Sequence, residues 1–192
     1  MDHRGDTVAE AMAALDRARF LPPAQAQHAR EDRALPLFRG QTCSQPSTVA
    51  AMLRLLCVPP GAAVLDVGAG SGWTTALLAR LVGPSGRVLG LEIDPGLAAF
   101  GAANLAACGM PWARIEPADP QVLGRPVAGG WARILVSASA PRLPDELVAQ
   151  LADNARMVVP VGRAMTLVVR ENGRLPTLST HGEYLFVPLL TP

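Results

Sequence analysis

The stretch VLDVGAGSG, residues 64–72, decides the fold. An apolar run ends at Val67 and passes into glycines with GxGxG spacing, and the residues from Thr74 onward have the apolar spacing of a helix. Glycine lets a turn adopt backbone conformations that other residues avoid, and it allows a ligand to approach the backbone closely. A strand, a glycine turn and a helix in this order therefore predict a nucleotide-type ligand at the turn.

The same alternation of short apolar runs and helical segments continues on the carboxyl side of this stretch. Strands are predicted at residues 63–67, 87–91, 113–116 and 133–137, and helices at 74–81, 97–107 and 144–151. This pattern is typical of a parallel α/β sheet with helices on both faces. Three later runs, 157–160, 166–170 and 184–189, have no helices between them, and residues 171–173 can form a turn. We therefore expect an antiparallel C-terminal edge.

Two amphipathic helices are predicted on the amino side. The first covers residues 8–15, and the second covers 44–57 with Ser44 as its N-cap and Pro46 in its first turn. A polar, proline-bearing segment joins them. With 192 residues and 49% hydrophobic content, the chain can bury one substantial core. We expect a single domain over residues 1–192, with an N-terminal segment at 1–60 and an α/β core at 61–192.

Composition narrows the classes of function. The net charge of +1 gives no strong field for nucleic acid or an anionic membrane. All 17 basic residues are arginine, which excludes lysine Schiff bases and the P-loop lysine. The 3 cysteines have no CxxC spacing, so we expect reduced thiols and no metal site. No apolar stretch is long enough to span a membrane, and we expect a cytoplasmic monomer.

Two positions around the glycine turn narrow the class of ligand further. Trp73 stands where a dinucleotide fingerprint would place its third glycine, which argues for a smaller nucleoside ligand. Glu92 ends the next strand, 20 residues after Gly72, and its carboxylate can accept hydrogen bonds from both ribose hydroxyls.

Three stretches together resemble the protein-L-isoaspartate O-methyltransferase family. They are residues 31–46 with the motif GQTCSQP, the glycine turn with Glu92, and residues 140–162 with the closing run 186–189. GQTxSQP is specific to that family, whereas class I methyltransferases in general share the glycine turn. The resemblance covers nearly the whole chain. It implies a Rossmann-like methyltransferase fold, S-adenosyl-L-methionine as cofactor, and an isoaspartyl-containing protein or peptide as substrate.

The resemblance implies roles for Ser44 and its neighbours, and the positions of other residues along the chain suggest theirs. Ser44 matches the active-site serine of the family, although simple helix capping by Ser44 remains an alternative. Asp66 either organises the methionine end of the cofactor or bonds loop amides, and Asp119 either bonds the adenine amino group or serves a turn. The three histidines, at positions 3, 28 and 181, are expected at the surface. The expected cofactor-binding residues are Thr42, Cys43, Gln45, Asp66, Gly68, Gly70, Ser71, Gly72, Glu92 and Asp119.

The sequence departs from the family pattern at three places. Ala118-Asp119-Pro120 replaces Gly-Asp-Gly, so a flexible glycine has become a residue with fixed φ and no N–H. Ala132 replaces an aspartate, and Asn154-Ala155 replaces two glycines. These changes leave two alternatives open: a related methyltransferase for a particular peptide or small metabolite, and a catalytically silent cofactor-binding protein.

Overall fold

A computed structural model describes residues 6–171 and 173–190. The predicted turn at 171–173 includes Asn172, and His3 was predicted at the surface; both residues lie outside the described part. The elements in chain order are α1 (Thr7–Ala14), a 3-10 turn (Arg17–Phe20), α2 (Pro23–Ala26), β1 (Leu35–Pro36), β2 (Thr42–Cys43), α3 (Pro46–Leu56), β3 (Ala63–Val67), α4 (Trp73–Val82), β4 (Arg87–Glu92), α5 (Pro95–Ala106), β5 (Ala113–Pro117), β6 (Trp131–Val136), α6 (Asp145–Val148), β7 (Leu151–Val161), β8 (Ala164–Arg170) and β9 (Thr177–Glu183).

A seven-stranded sheet has the order β5-β4-β3-β6-β7-β8-β9. The strands from β5 to β7 pair in parallel, and β8 and β9 pair antiparallel at the edge. Successive residues of a strand point to opposite faces of the sheet and belong to two hydrophobic clusters. Val64 belongs to the cluster that contains residues of α1, α3, α4 and α5, and Leu65 belongs to the cluster that contains α6. The predicted α/β class, with its mostly parallel sheet and antiparallel C-terminal edge, is confirmed.

The predicted helix at 144–151 is wrong in its second half. α6 ends at Val148, and β7 begins at Leu151, which pairs with Trp131 of β6. The Gln150 side chain donates hydrogen bonds to the carbonyls of Leu123 and Glu146, which stops the helix against a neighbouring loop. The apolar run 157–160 is only the buried part of this 11-residue strand.

The predicted strand at 184–189 is also wrong. These residues form no strand. Ser139 donates to the Val187 carbonyl and accepts from the Leu189 N–H, and the Tyr184 N–H donates to the Arg163 carbonyl. The last strand is β9 instead. Its side chains are largely exposed at the edge of the sheet, so it carries none of the apolar signal that predicts buried strands.

Helix α3 begins later than predicted, and Ser44 is not its N-cap. The N-cap is Gln45, whose side chain makes no capping hydrogen bond. The cap comes from another part of the chain: Asp32 accepts hydrogen bonds from the Ser47 N–H at 2.9 Å and from the Gln45 side-chain amide at 3.1 Å. The interpretation of Ser44 as a simple helix cap is therefore wrong.

Cys43, Cys57 and Cys108 are free thiols. Among the helices that the structure describes, none has the length and apolar content needed to cross a membrane.

Candidate active site

A cavity of about 290 Å³ lies at the carboxyl ends of the parallel strands. Its lining includes residues that end or follow β3, β4, β5 and β6. The connections from β3 and β6 leave the sheet in opposite directions, so this edge is the topological switch point at which α/β sheets bind ligands. The lining is largely apolar with a few polar groups, as in most small-molecule sites.

The glycine turn supplies space rather than amide donors. Gly68 and Gly70 have positive φ values of +81° and +55° and line the cavity. A Cβ at Gly70 would meet no protein atom closer than 3.9 Å. The N–H groups of Gly68 and Ala69 donate to the Leu91 carbonyl, and that of Gly70 donates to Glu92. These three N–H groups are therefore already bonded within the chain.

Gly72 and Ser71 serve the packing of helices. A Cβ on Gly72, which has φ of +87°, would lie 2.7 Å from the Gly101 carbonyl oxygen of α5. A Cβ on Gly101 would lie 2.5 Å from the carbonyl oxygen of Gly70. Ser71 is buried, and its carbonyl accepts a hydrogen bond from the Asn104 side chain. Neither Ser71 nor Gly72 is among the residues that line the cavity, and their contact with the cofactor stays a prediction.

Glu92 lines the cavity at the end of β4 and is only 6% exposed. One carboxylate oxygen accepts the Gly70 N–H at 2.8 Å, and the other accepts the Asp94 N–H at 3.0 Å. Each oxygen of an ionised carboxylate has a further lone pair. The Glu92 carboxylate can therefore hold the glycine turn and still accept hydrogen bonds from a ligand.

Asp66 lies behind the turn and does not line the cavity. One carboxyl oxygen accepts the Thr75 hydroxyl at 2.7 Å, and the other, Oδ1, is buried with no hydrogen-bond partner among the described residues. Burial raises the pKa of Asp66 to about 7; the nearby Glu92 charge also raises it, while the Thr75 bond lowers it. The alternative in which Asp66 bonds loop amides is corrected, because its partner is a helix hydroxyl.

Asp119 follows β5, is exposed and lines the cavity. One of its carboxylate oxygens accepts the Gln121 N–H at 2.9 Å, which is the turn-forming role. Pro120 lines the same wall, so the departure from Gly-Asp-Gly lies at the cavity itself.

A second cavity of about 380 Å³ contains Ser44 and Gln45 in its lining. Thr42, Ser137 and Val187 line both cavities, which are therefore neighbours. Tyr184 and Arg163 also line the second one. The pair of cavities provides one space for a nucleoside-type ligand and an adjoining space for a second molecule beside Ser44.

The residues around Ser44 do not all face these cavities. Thr42 is exposed, whereas Cys43 is 4% exposed in the hydrophobic core and lines neither cavity. Gln45 lines only the second cavity, and its amide bonds Asp32 and Ser47. Contact of Cys43 and Gln45 with the cofactor stays a prediction that this geometry does not support.

Sequence reasoning missed Gln41 and Ser137, and it did not expect the segment at 187–190 to line the first cavity. Ser137 follows β6 and donates its N–H to the Val67 carbonyl, beside Gly68. Its position at the carboxyl end of a parallel strand is a signal that could have identified it. His28 and His181 are half-buried and bond Glu31 and Ser179, away from both cavities.

Known structures share this fold, one of them over almost the whole chain. A Plasmodium falciparum protein assigned as a protein-L-isoaspartate O-methyltransferase, solved in complex with S-adenosyl-L-homocysteine, aligns with a TM-score of 0.84 and 26% identity, covering 97% of this chain and 91% of that one. A Thermotoga maritima S-adenosylmethionine-dependent O-methyltransferase aligns with a TM-score of 0.53 and 25% identity, covering 63% of this chain and 45% of that one. The fold and the glycine-turn cavity define a class I methyltransferase.

Sequence relatives identify the family within this class. A protein-L-isoaspartate O-methyltransferase from Aeropyrum pernix is 42% identical over 187 residues, and one from Anaeromyxobacter dehalogenans is 48% identical over 165 residues. These matches cover 95% and 85% of this chain and 72% and 77% of the relatives. The family model of protein-L-isoaspartate(D-aspartate) O-methyltransferases matches residues 2–191. The chain belongs to that family.

Proposed function

We propose that this protein transfers a methyl group from S-adenosyl-L-methionine to the free carboxylate of L-isoaspartyl residues in damaged proteins or peptides. Family membership supports the reaction. The observation that carries the proposal is the pair of adjoining cavities, because Ser44 lines the one beside the glycine-turn cavity. The methyl ester formed would collapse to a succinimide and permit return to normal aspartate.

The first cavity is the proposed cofactor site. Gly68 and Gly70 leave room where a side chain would stand, Glu92 offers carboxylate lone pairs to ribose hydroxyls, and Asp119 has a second oxygen for the adenine amino group. Thr42 lies between this site and the acceptor. We propose that Asp66 acts from behind the turn, where its unpartnered Oδ1 orients the methionine end of the cofactor electrostatically. When bound, the cofactor supplies an electrophilic methyl group on a sulfonium.

The second cavity is the proposed acceptor site. A carboxylate with a reference pKa of about 4 is already an ionised nucleophile at neutral pH, so the reaction requires no general base. The residues have to align the acceptor oxygen with the methyl group and exclude water. We propose that the Ser44 hydroxyl donates a hydrogen bond to that carboxylate and fixes its direction. Thr42 and Ser137, which line both cavities, form the boundary between the two ligands.

Matched peptides test the proposal directly. The full chain is incubated with labelled S-adenosyl-L-methionine and two peptides that differ only in containing isoaspartyl or aspartyl at one position. We expect label in the isoaspartyl peptide alone, followed by appearance of the succinimide. Absence of transfer would contradict the function. Calorimetric titration with S-adenosyl-L-homocysteine then separates the alternatives: binding without transfer favours another acceptor, and no binding favours a silent protein.

We further propose that the protein is a cytoplasmic monomer that folds as one domain and does not bind nucleic acid or membranes. Its free cysteines and small net charge support this view. Helix α1 of the N-terminal segment packs against α4 of the α/β core and shares its hydrophobic cluster, so both segments should unfold together. Size-exclusion chromatography with light scattering tests the oligomeric state, and coincident unfolding transitions by two probes test the single domain.

A further inference from the structure

Arg17 is a buried charge whose hydrogen bonds all go to backbone carbonyls. Its residue exposure is 4%, and it lies at the start of the 3-10 turn after α1. Nη1 donates to two carbonyls at 3.1 and 3.3 Å, and Nη2 donates to three at 2.9, 3.0 and 3.0 Å. Burying a guanidinium is costly unless such groups replace water. The five carbonyls therefore fix the position of the Arg17 side chain, and the side chain in turn fixes the backbone segments that carry those carbonyls.

The carbonyls bonded by Arg17 come from two separate parts of the chain. Three belong to the connection between α2 and β1, at Ala29, Glu31 and Arg33. The other two belong to Cys43 and Ser44, which lead from β2 into α3. One guanidinium therefore fixes the backbone of Ser44 and ties it to the segment that also supplies Asp32, the cap of α3.

The same guanidinium also contacts the cofactor half of the molecule. Its central carbon lies 5.4 Å from the ring centre of Trp73, the first residue of α4 directly after the glycine turn. The Trp73 indole N–H is directed to the Leu15 carbonyl at 3.4 Å, which fixes the ring in turn. Arg17 thus connects the backbone of the proposed acceptor-site serine with the helix that follows the proposed cofactor turn.

We propose that Arg17 is a positioning residue for methyl transfer: it sets the place of Ser44 relative to the glycine turn. This inference rests on the proposed function of Ser44. Alignment of reacting groups is sensitive, because a displacement of about 1 Å can cost roughly 10²-fold in rate. Lysine cannot replace Arg17, since a single ammonium with three N–H donors cannot bond the five carbonyls that Nη1 and Nη2 of the planar guanidinium reach.

The first test compares Arg17→Lys with Arg133→Lys. Arg133 is the matched control because it is half-buried and also donates to backbone carbonyls, at Ala132 and Cys57, away from both cavities. At saturating cofactor, Arg17→Lys should lower kcat for an isoaspartyl peptide by ~10-fold or more. Its dissociation constant for S-adenosyl-L-homocysteine should stay within about threefold of wild type. Arg133→Lys should lower the melting temperature and leave kcat near wild type. Arg17→Gln replaces the lysine variant if the latter is unfolded at the assay temperature.

A double-mutant cycle decides whether Arg17 acts through Ser44. In the Ser44→Ala background, Arg17→Lys should lower the remaining turnover by less than about twofold, because the group it positions is gone. Equal losses in both backgrounds, or an unchanged kcat for Arg17→Lys alone, would overturn the proposal.

Amide hydrogen exchange gives a readout that does not depend on activity. Exchange in residues 42–47 should rise in Arg17→Lys and not in Arg133→Lys. Unchanged protection there would refute the positioning role even if wild type transferred no methyl group. If the wild type transfers no methyl group but exchange still rises in Arg17→Lys, the proposed function is wrong and the positioning of Ser44 by Arg17 stands.

Discussion

Glu92→Gln should weaken the binding of S-adenosyl-L-homocysteine by about 10- to 150-fold. In the structure the two carboxylate oxygens accept N–H groups at 2.8 and 3.0 Å, from Gly70 and Asp94. The amide of glutamine has one acceptor oxygen and one donor NH₂, so it cannot satisfy both N–H groups and both ribose hydroxyls. A hydrogen bond to a charged group contributes about 1.5–3 kcal/mol, which corresponds to the stated range. Glu92→Ala should lose about 1–3 kcal/mol of binding for the same reason.

Calorimetric titration of the folded variants measures this effect. Glu10→Gln is the matched control, because Glu10 is an exposed glutamate on α1 and should bind as wild type does. Melting curves must accompany the titrations, since Glu92 also holds the glycine turn. A dissociation constant for folded Glu92→Gln within twofold of wild type would refute the ribose assignment.

Two further predictions concern the glycine turn and the buried carboxyl behind it. Gly70→Val should abolish binding of S-adenosyl-L-homocysteine, because the valine side chain would fill the cavity. Gly109→Val is the control: Gly109 has a similar positive φ of +67° and open space around it, so this variant should lose stability only. Tight binding by folded Gly70→Val would contradict the model. The folded pKa of Asp66 lies near 7 and an unfolded aspartate titrates near 4, so the folded state binds the extra proton between these values. The contribution of Asp66 to stability should therefore fall as the pH rises from about 4 to about 7. Asp66→Asn should remove that fall. Denaturant titrations should show the difference in free energy of unfolding between wild type and Asp66→Asn changing by an amount on the order of 4 kcal/mol across this pH range. A difference that does not depend on pH would contradict the raised pKa.

The buried part of the fold could be predicted from the sequence because burial leaves a periodic signal. β3 has the predicted bounds, α4 is one residue longer than predicted at each end, and β4 and β5 are one residue longer at the carboxyl end. β9 left no such signal, because an edge strand with exposed side chains is held by backbone hydrogen bonds that polar residues make equally well. Asn154 in β7 has φ of +57°, a conformation that asparagine tolerates, which explains how it can replace a glycine of the family pattern.

The candidate site was predictable where local geometry determines it. Gly68, Gly70, Glu92 and Asp119 follow from their places at the carboxyl ends of strands. Strand geometry predicts that Thr42 and Cys43 face opposite sides, so only one of the two can face the cleft, and the structure buries Cys43. The contacts of Arg17 with Ser44 and of Gly72 with Gly101 join residues far apart in the chain, and no local pattern encodes them.

The central claim, that Ser44 contacts the acceptor carboxylate in a carboxyl methyltransferase, is tested most directly by turnover of an isoaspartyl peptide at saturating cofactor. Wild type is compared with Ser44→Ala and with Ser85→Ala, an exposed serine in the turn before β4 at the opposite end of the sheet. We predict that Ser44→Ala loses ~10-fold or more in turnover, at least ~1.4 kcal/mol of transition-state stabilisation, while its melting temperature and cofactor affinity stay near wild type. Equal turnover by the three folded proteins would contradict the claim and remove Ser44 from the active site.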